Sequence, residues 1–331
     1  MRALGLGLGW NLHGERAVAP PTNSVAPAIT GIQLEGSTLT SSTGTWSGSP
    51  TFTYQWNNAG VAIDGATAST HVLVEADNDA AITCTVTAHN GGGSLAVTTA
   101  AVTPWTPNSI AGLAGRWDSL HVNKLDGNPA GNGNLIKRFK DVSPNGKNID
   151  YAGTATVSPI LRTAKTDTNF GPKDAVQYAG TEALVVPASI VLTQPFTIWH
   201  VARNDVGDKV VMGGTGGAWA SYTASGSGQA AYQAGLFRGS TVVNLGLWSI
   251  TIMRFASVAG TSKLRVDGTT AATDDPGTNA GTGVGIGDYA SGGNQMTGFF
   301  AEAGVSIGAM SDADIAKLEH YLSLKWGVDA L

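Results

Sequence analysis

The sequence predicts an all-β protein of two modules, with a single helix at its C-terminal end. Composition is the first observation behind this. The 331 residues include 45 Gly and 13 Pro, against 19 Lys plus Arg and 24 Asp plus Glu. Helix-forming charged residues are scarce and turn formers are plentiful, so short strands joined by many turns follow and a helical bundle does not. The second observation is period-two alternation, cleanest where Ile82, Cys84, Val86 and Ala88 fall on one side of a strand. Third, helical spacing occurs convincingly only near the end, where Ile315, Leu318, Leu322 and Trp326 recur.

Taken in order, the chain opens with Ala3-Leu4-Gly5-Leu6-Gly7-Leu8-Gly9-Trp10. Met1-Arg2 and Ala17-Val18-Ala19 are faint marks of a secretory signal. Alternating glycine makes a poor apolar helix, however, and Asn11, His13, Glu15 and Arg16 interrupt it. An extended anchoring arm carrying Leu4, Leu6, Leu8 and Trp10 is expected instead, with Pro20-Pro21-Thr22-Asn23-Ser24 as a stiff linker closing residues 1–24. No apolar run of about 18 residues exists, so no helical membrane span is expected. Residues 25–104 read as roughly seven short strands, the number a two-sheet sandwich needs. Thr53-Tyr54-Gln55-Trp56 forms one of them, and Asn58-Ala59-Gly60 and His89-Asn90-Gly91-Gly92-Gly93 supply turns. Residues 105–331 begin at Trp105-Thr106-Pro107-Asn108 and stay strand-rich. Phe196–Val201 and Trp248–Phe255 are apolar on both faces, which predicts buried central strands. Ser311 caps the final helix, Asp312 and Asp314 favour its first turn, and Gly327 stops it.

Particular motifs in each module resemble known families. In the first, Gly36-Ser37-Thr38-Leu39, Gly44-Thr45-Trp46-Ser47-Gly48-Ser49-Pro50, Tyr54-Gln55-Trp56 and Ile82–Asn90 occur in order. This resembles the immunoglobulin-like modules of bacterial and phage surface proteins. The resemblance implies that Trp56 and Cys84 sit in the core. The first core cysteine is absent and Ile82 replaces the corner tyrosine, so Cys84, the only cysteine, reads as a small buried hydrophobe. The second module carries Gly115-Arg116-Trp117-Asp118-Ser119, Phe139–Asn148, Val176–Gly180, Pro195–Arg203, Val266-Asp267-Gly268 and Gly298-Phe299-Phe300-Ala301-Glu302. It resembles the concanavalin A-like lectin/glucanase superfamily, in its laminin-G-like branch. That implies a jelly roll with a terminal helix, a structural role for Glu302, and a departure at Pro144, where the family usually has glycine.

The search for chemistry is mostly negative. Glucanases of this fold use a Glu-x-Asp-x-x-Glu strand, and no such pair of carboxylates occurs here. The expectation is therefore that the chain is not an enzyme. The six histidines show no metal-ligand spacing. Calcium is the one cofactor considered, through Asp126, Asn128 and Asn132 of an Asn/Gly-rich loop, although turn chemistry explains that loop as well. Sugar recognition needs aromatic platforms beside amide and carboxylate groups, which singles out Trp219, Tyr222, Tyr232, Tyr289 and Asn294. A net charge of −5 without a basic run argues against nucleic acid. The N-terminal arm resembles those of tailed-phage virion proteins. Together these readings suggest a bacteriophage structural protein, in the tail or decorating the head, assembled in the host cytoplasm and carried on the virion. Its expected partners are other virion proteins through the arm, copies of itself in a homo-oligomer, and host-surface polysaccharide through the lectin-like module. A secreted bacterial adhesin and a polysaccharide hydrolase are the rival readings.

Overall fold

Alternation and turn chemistry produce two separate β units, divided between Trp105 and Thr106. The computed structural model describes residues 18–331 apart from 125–129, 152–158, 168–169, 181–183, 186–189, 208, 215–218, 225–228, 234–236, 243–244, 257, 259, 274–276, 278–280, 288–294 and 329–331. The arm residues Leu4, Leu6, Leu8 and Trp10 lie outside the described residues.

In the first unit, Thr51–Asn58 and Ile82–Asn90 pair antiparallel at the centre of a four-stranded sheet, flanked by Val61–Ala62 and Gly93–Thr98. A three-stranded sheet of Ile29–Thr30, Thr38–Ser41 and Thr70–Val72 accompanies it. Burial alternates along Ile82–Ala88 as the sequence requires, and Trp56 stands directly opposite Cys84. Both are fully buried with Leu39, Leu73, Ile82 and Val86, and the Trp56 indole donates to the Ala68 carbonyl. The Pro20–Ser24 stretch differs from expectation. It is not a free linker, because Pro21 is buried, Asn23–Val25 pairs with Thr45–Trp46, and Thr22 exchanges hydrogen bonds with Ser47. Asn90 also donates to the Ala19 carbonyl at 2.9 Å. Composition marks these residues as extended and polar, which suits an edge strand as well as a spacer.

In the second unit, sixteen strands form one hydrogen-bonded network. Its path runs from Phe237–Val242 at one end to Thr269–Thr273 at the other, and these two end strands lie against each other. The sheet therefore curls over on itself in the manner of a jelly roll. Enclosed between its faces are Trp117, Phe139, Phe196, Ile198, Phe255 and Phe300 among others. Phe196 stacks on Phe255 at 4.5 Å, and Phe300 meets Phe139 edge-on.

The central strand is Thr297–Ile307. Phe196–Asn204 pairs along one edge, while Leu113–Lys124 and then Phe170–Ala179 share the other. A bulge at Ala301 marks the change of partner. The helix Asp312–Trp326 covers the outer face, capped by Ser311 accepting from the Asp314 amide and ended by Gly327 at φ 67°. Its buried stripe is the expected Ile315, Leu318, Leu322 and Trp326, joined by Tyr321. At the Pro144 turn, Asp141 accepts from the amides of Arg116, Ser143 and Lys147, so proline is accommodated on the exposed side.

Candidate functional site

The candidate site is a rim of paired charges at one end of the central strands. Three strands deliver it: Ile160–Asp167, Phe196–Asn204 and Thr297–Ile307. Arg203 is in register with Phe299, and Trp248 immediately precedes Ser249, the partner of Ala202. Gly298, at φ 150°, is required for this approach, because a Cβ there would overlap the Arg203 carbonyl oxygen. Asp167 accepts from Lys165 Nζ at 2.9 Å, Arg203 Nη1 at 2.8 Å and Trp248 Nε1 at 2.9 Å. Arg203 also donates through Nη2 to Asp205 at 3.0 Å. The guanidinium and the Lys165 ammonium lie over the Phe299 ring, at 4.5 and 4.9 Å from its centre. Burial works to raise the Asp167 carboxyl, but Lys165, Trp248 and Arg203 outweigh it and hold the group below the usual range. Trp248 and Phe299 are buried behind the charges, while Asp205 keeps about a third of its side chain in solvent. Such a rim offers fixed donors and acceptors at the surface, the pattern that orients a polar ligand.

A second cluster lies beneath the helix. Asp118 and Glu302 are directly opposite on neighbouring strands, and neither has solvent access. Lys325 inserts its Nζ between them, 2.7 Å from Asp118 Oδ2 and 2.9 Å from Glu302 Oε2. Arg116 Nε reaches Glu302 Oε1 at 2.9 Å and its Nη2 donates to the Tyr321 hydroxyl. Trp326 Nε1 donates to Glu302 Oε2, and His121 Nδ1 lies 2.6 Å from Asp118 Oδ1. Burial would push the Asp118 carboxyl up, but Lys325 and His121 prevail and keep it ionised. Likewise burial opposes the charge on Lys325, and Glu302 with Asp118 overcomes it. The four charged groups thus balance, and Glu302 has the structural role that the resemblance implied.

Inside the sandwich, His200 Nε2 and Ser221 Oγ are 2.7 Å apart, with both residues buried. Burial pushes the imidazole down to about 3, so it is neutral under ordinary conditions. Its Nδ1 has no partner among the described residues. No carboxylate completes a triad on that nitrogen there.

Trp219 is a correction, because it is fully buried and packs against Phe196 rather than forming a platform. Gly214 makes this possible, since a Cβ there would collide with the indole. Tyr222 lies in Ala220–Ala224 opposite Ala231, and Tyr232 lies in Gln229–Gln233 opposite Ser221, so the two are not a cross-strand pair. Tyr289 and Asn294 lie outside the described residues, as do Asp126 and Asn128. Asn132 is exposed, but its side-chain oxygen accepts from the Thr163 amide at 3.2 Å. Among the described residues no group of three or more potential ligands could hold a metal ion. Sequence reasoning missed the Asp167–Arg203–Asp205 rim entirely. The one available signal was the charged run Arg203-Asn204-Asp205 at the end of an otherwise apolar strand.

No family model matches the chain, and no curated protein matches it. Solved structures do. Domain 4 of AbnA, a GH43 extracellular arabinanase from Geobacillus stearothermophilus in complex with arabinotriose, is 12% identical, with 64% of this chain and 100% of that one covered and a TM-score of 0.40. A Trypanosoma rangeli sialidase in complex with sialic acid is 11% identical over 92% of this chain and 54% of its own, with a TM-score of 0.42. A GH54 α-L-arabinofuranosidase soaked with a cyclic sulfate inhibitor is 13% identical over 67% of this chain and 61% of its own, with a TM-score of 0.46. The chain thus spans little more than half of the sialidase. At this identity the likeness concerns the fold.

The expectation that the chain is not an enzyme is corrected by this comparison, because glycoside hydrolases stand among the similar structures. Its reasoning was also too narrow. A search for carboxylates spaced along one strand overlooks pairs contributed by different strands, although Asp118 opposite Glu302, a pair of that kind, is closed to solvent and neutralised by Lys325 and Arg116.

Proposed function

We propose that the chain is a structural component of a tailed-bacteriophage particle and that its second unit binds polysaccharide on the host surface. The observation that carries the binding half is the Asp167–Arg203–Asp205 rim with its aromatic backing. Carboxylate and guanidinium groups fixed side by side suit the adjacent hydroxyls of a sugar, each acting as acceptor or donor. Two of the similar structures contain bound sugars, which supports the same reading. The particle half rests on the resemblance of both modules and the arm to phage proteins. Repeated display on a particle would convert weak single contacts into avidity.

Binding of the full chain to host-envelope polysaccharide, measured by surface plasmon resonance, tests the first half. Arg203→Ala is expected to weaken it by at least tenfold, and unchanged binding would sink the assignment of the rim. Release of reducing ends in the same samples reports any turnover. Mass spectrometry of purified particles tests the second half, where the chain is expected at fixed stoichiometry.

A further inference from the structure

The charged cluster under the helix has the composition of a condensation site. A lysine nitrogen and an aspartate carboxyl are in contact, a glutamate touches the nitrogen, and a histidine touches the other oxygen of the aspartate. We propose that Lys325 and Asp118 become joined by an intramolecular amide bond, with Glu302 relaying a proton and His121 holding the oxygen that stays. In this step the Lys325 ammonium passes one proton to Asp118 Oδ2, which it contacts, so that a neutral amine faces a neutral carboxyl. The amine attacks Cγ of Asp118, forming the C–N bond, and Glu302 Oε2 takes a second proton from the nitrogen. Glu302 hands that proton to Asp118 Oδ2, the bond from Cγ to Oδ2 breaks and water leaves, while Oδ1, facing His121, becomes the amide carbonyl. Of the three ammonium protons one stays on the amide nitrogen and two depart with the water, so Glu302 and His121 end as they began and no oxidant or activating group is needed.

Four features favour the joined state. The fold holds the reactants in contact, which is equivalent to an effective concentration on the order of 10⁵ M or more. Condensation removes one buried cation and one buried anion, leaving Arg116 and Glu302 as a complete pair at 2.9 Å. Glu302 Oε2, 2.9 Å from Nζ, is placed to accept from the amide N–H afterwards. The rings of Tyr321 and Trp326 lie against the Lys325 terminus and restrict the water that would reverse the step. This inference is independent of the glycan reading.

The test is the intact mass of the denatured full chain. It is expected to be lighter than the sequence by one water molecule, and digestion should release a branched peptide joining the segments around Asp118 and Lys325. Lys325→Arg keeps the cation and should restore the full mass. Glu302→Gln should lower the joined fraction several-fold. A wild-type chain at full mass overturns the proposal, as does a water loss that persists in Lys325→Arg.

Discussion

At the residue scale, half-buried Asp267 and buried His200 respond to pH in opposite directions. Asp267 sits at φ 47° in the turn between Lys263–Val266 and Thr269–Thr273, and its carboxylate accepts from the Ile250 amide at 2.7 Å. Burial, reinforced by nearby Glu319, pushes the carboxyl up to about 6 despite that bond. The folded form therefore binds the proton more tightly than the unfolded chain, and stability falls as pH rises from about 4 to about 6. Asp267→Asn keeps an acceptor and suits the positive φ. It is expected to raise stability at pH 7 by on the order of 1–2 kcal/mol and to flatten that slope, as read by thermal melts across pH. His200 behaves inversely. Its folded value, about 3, lies below the usual imidazole value, so its contribution is complete above the unfolded value and is lost on acidification through about 6.5 to 3. His200→Gln, which has no proton to gain, should lose less stability between pH 7 and pH 4 in urea titrations at each pH.

At the element scale, the C-terminal helix is the clearest case of structure legible in sequence. Its cap, stripe and stop are all local signals, and Ser311, Leu318, Leu322, Trp326 and Gly327 occupy the expected roles. The strand Ile82–Asn90 was equally readable, because its alternation spans one segment. What remained hidden involves residues distant in sequence. Nothing local joins Lys325 to Asp118, or Arg203 to Asp167, since those contacts depend on strand order. Trp219 misled for a related reason. Its glycine-rich neighbourhood signals an exposed loop, yet Gly214 is the flat surface its indole lies on. The helix also explains an expected sensitivity. Leu318 is fully buried, and Leu318→Ala should cost about 2–5 kcal/mol in chemical denaturation of the second unit. Helix docking also depends on the bidentate pair between Arg265 and Glu319. Exposed i,i+3 contacts such as Lys317 with Asp314 should contribute under about 1 kcal/mol.

At the scale of the whole molecule, each unit encloses its own core, one around Trp56 and Cys84 and the other around Phe196 and Phe300. Residues 18–105 expressed alone are therefore expected to fold, with a cooperative melt and near-ultraviolet dichroism from buried Trp56. A fragment lacking that signal would show that the first unit needs more of the chain. Trp56→Ala in this fragment should cost about 3–5 kcal/mol and abolish the melt.

The attachment of residues 19–25 to the first sandwich has a mechanical consequence. Because Ala19, Thr22 and Asn23–Val25 are bonded to Asn90, Ser47 and Thr45–Trp46, tension that reaches Val18 meets no slack tether between there and the sandwich. The load passes straight into the sandwich, whose edge strand must be torn away before the chain can lengthen. Optical-tweezer traces should accordingly begin with a discrete rupture instead of a compliant stretch of these residues.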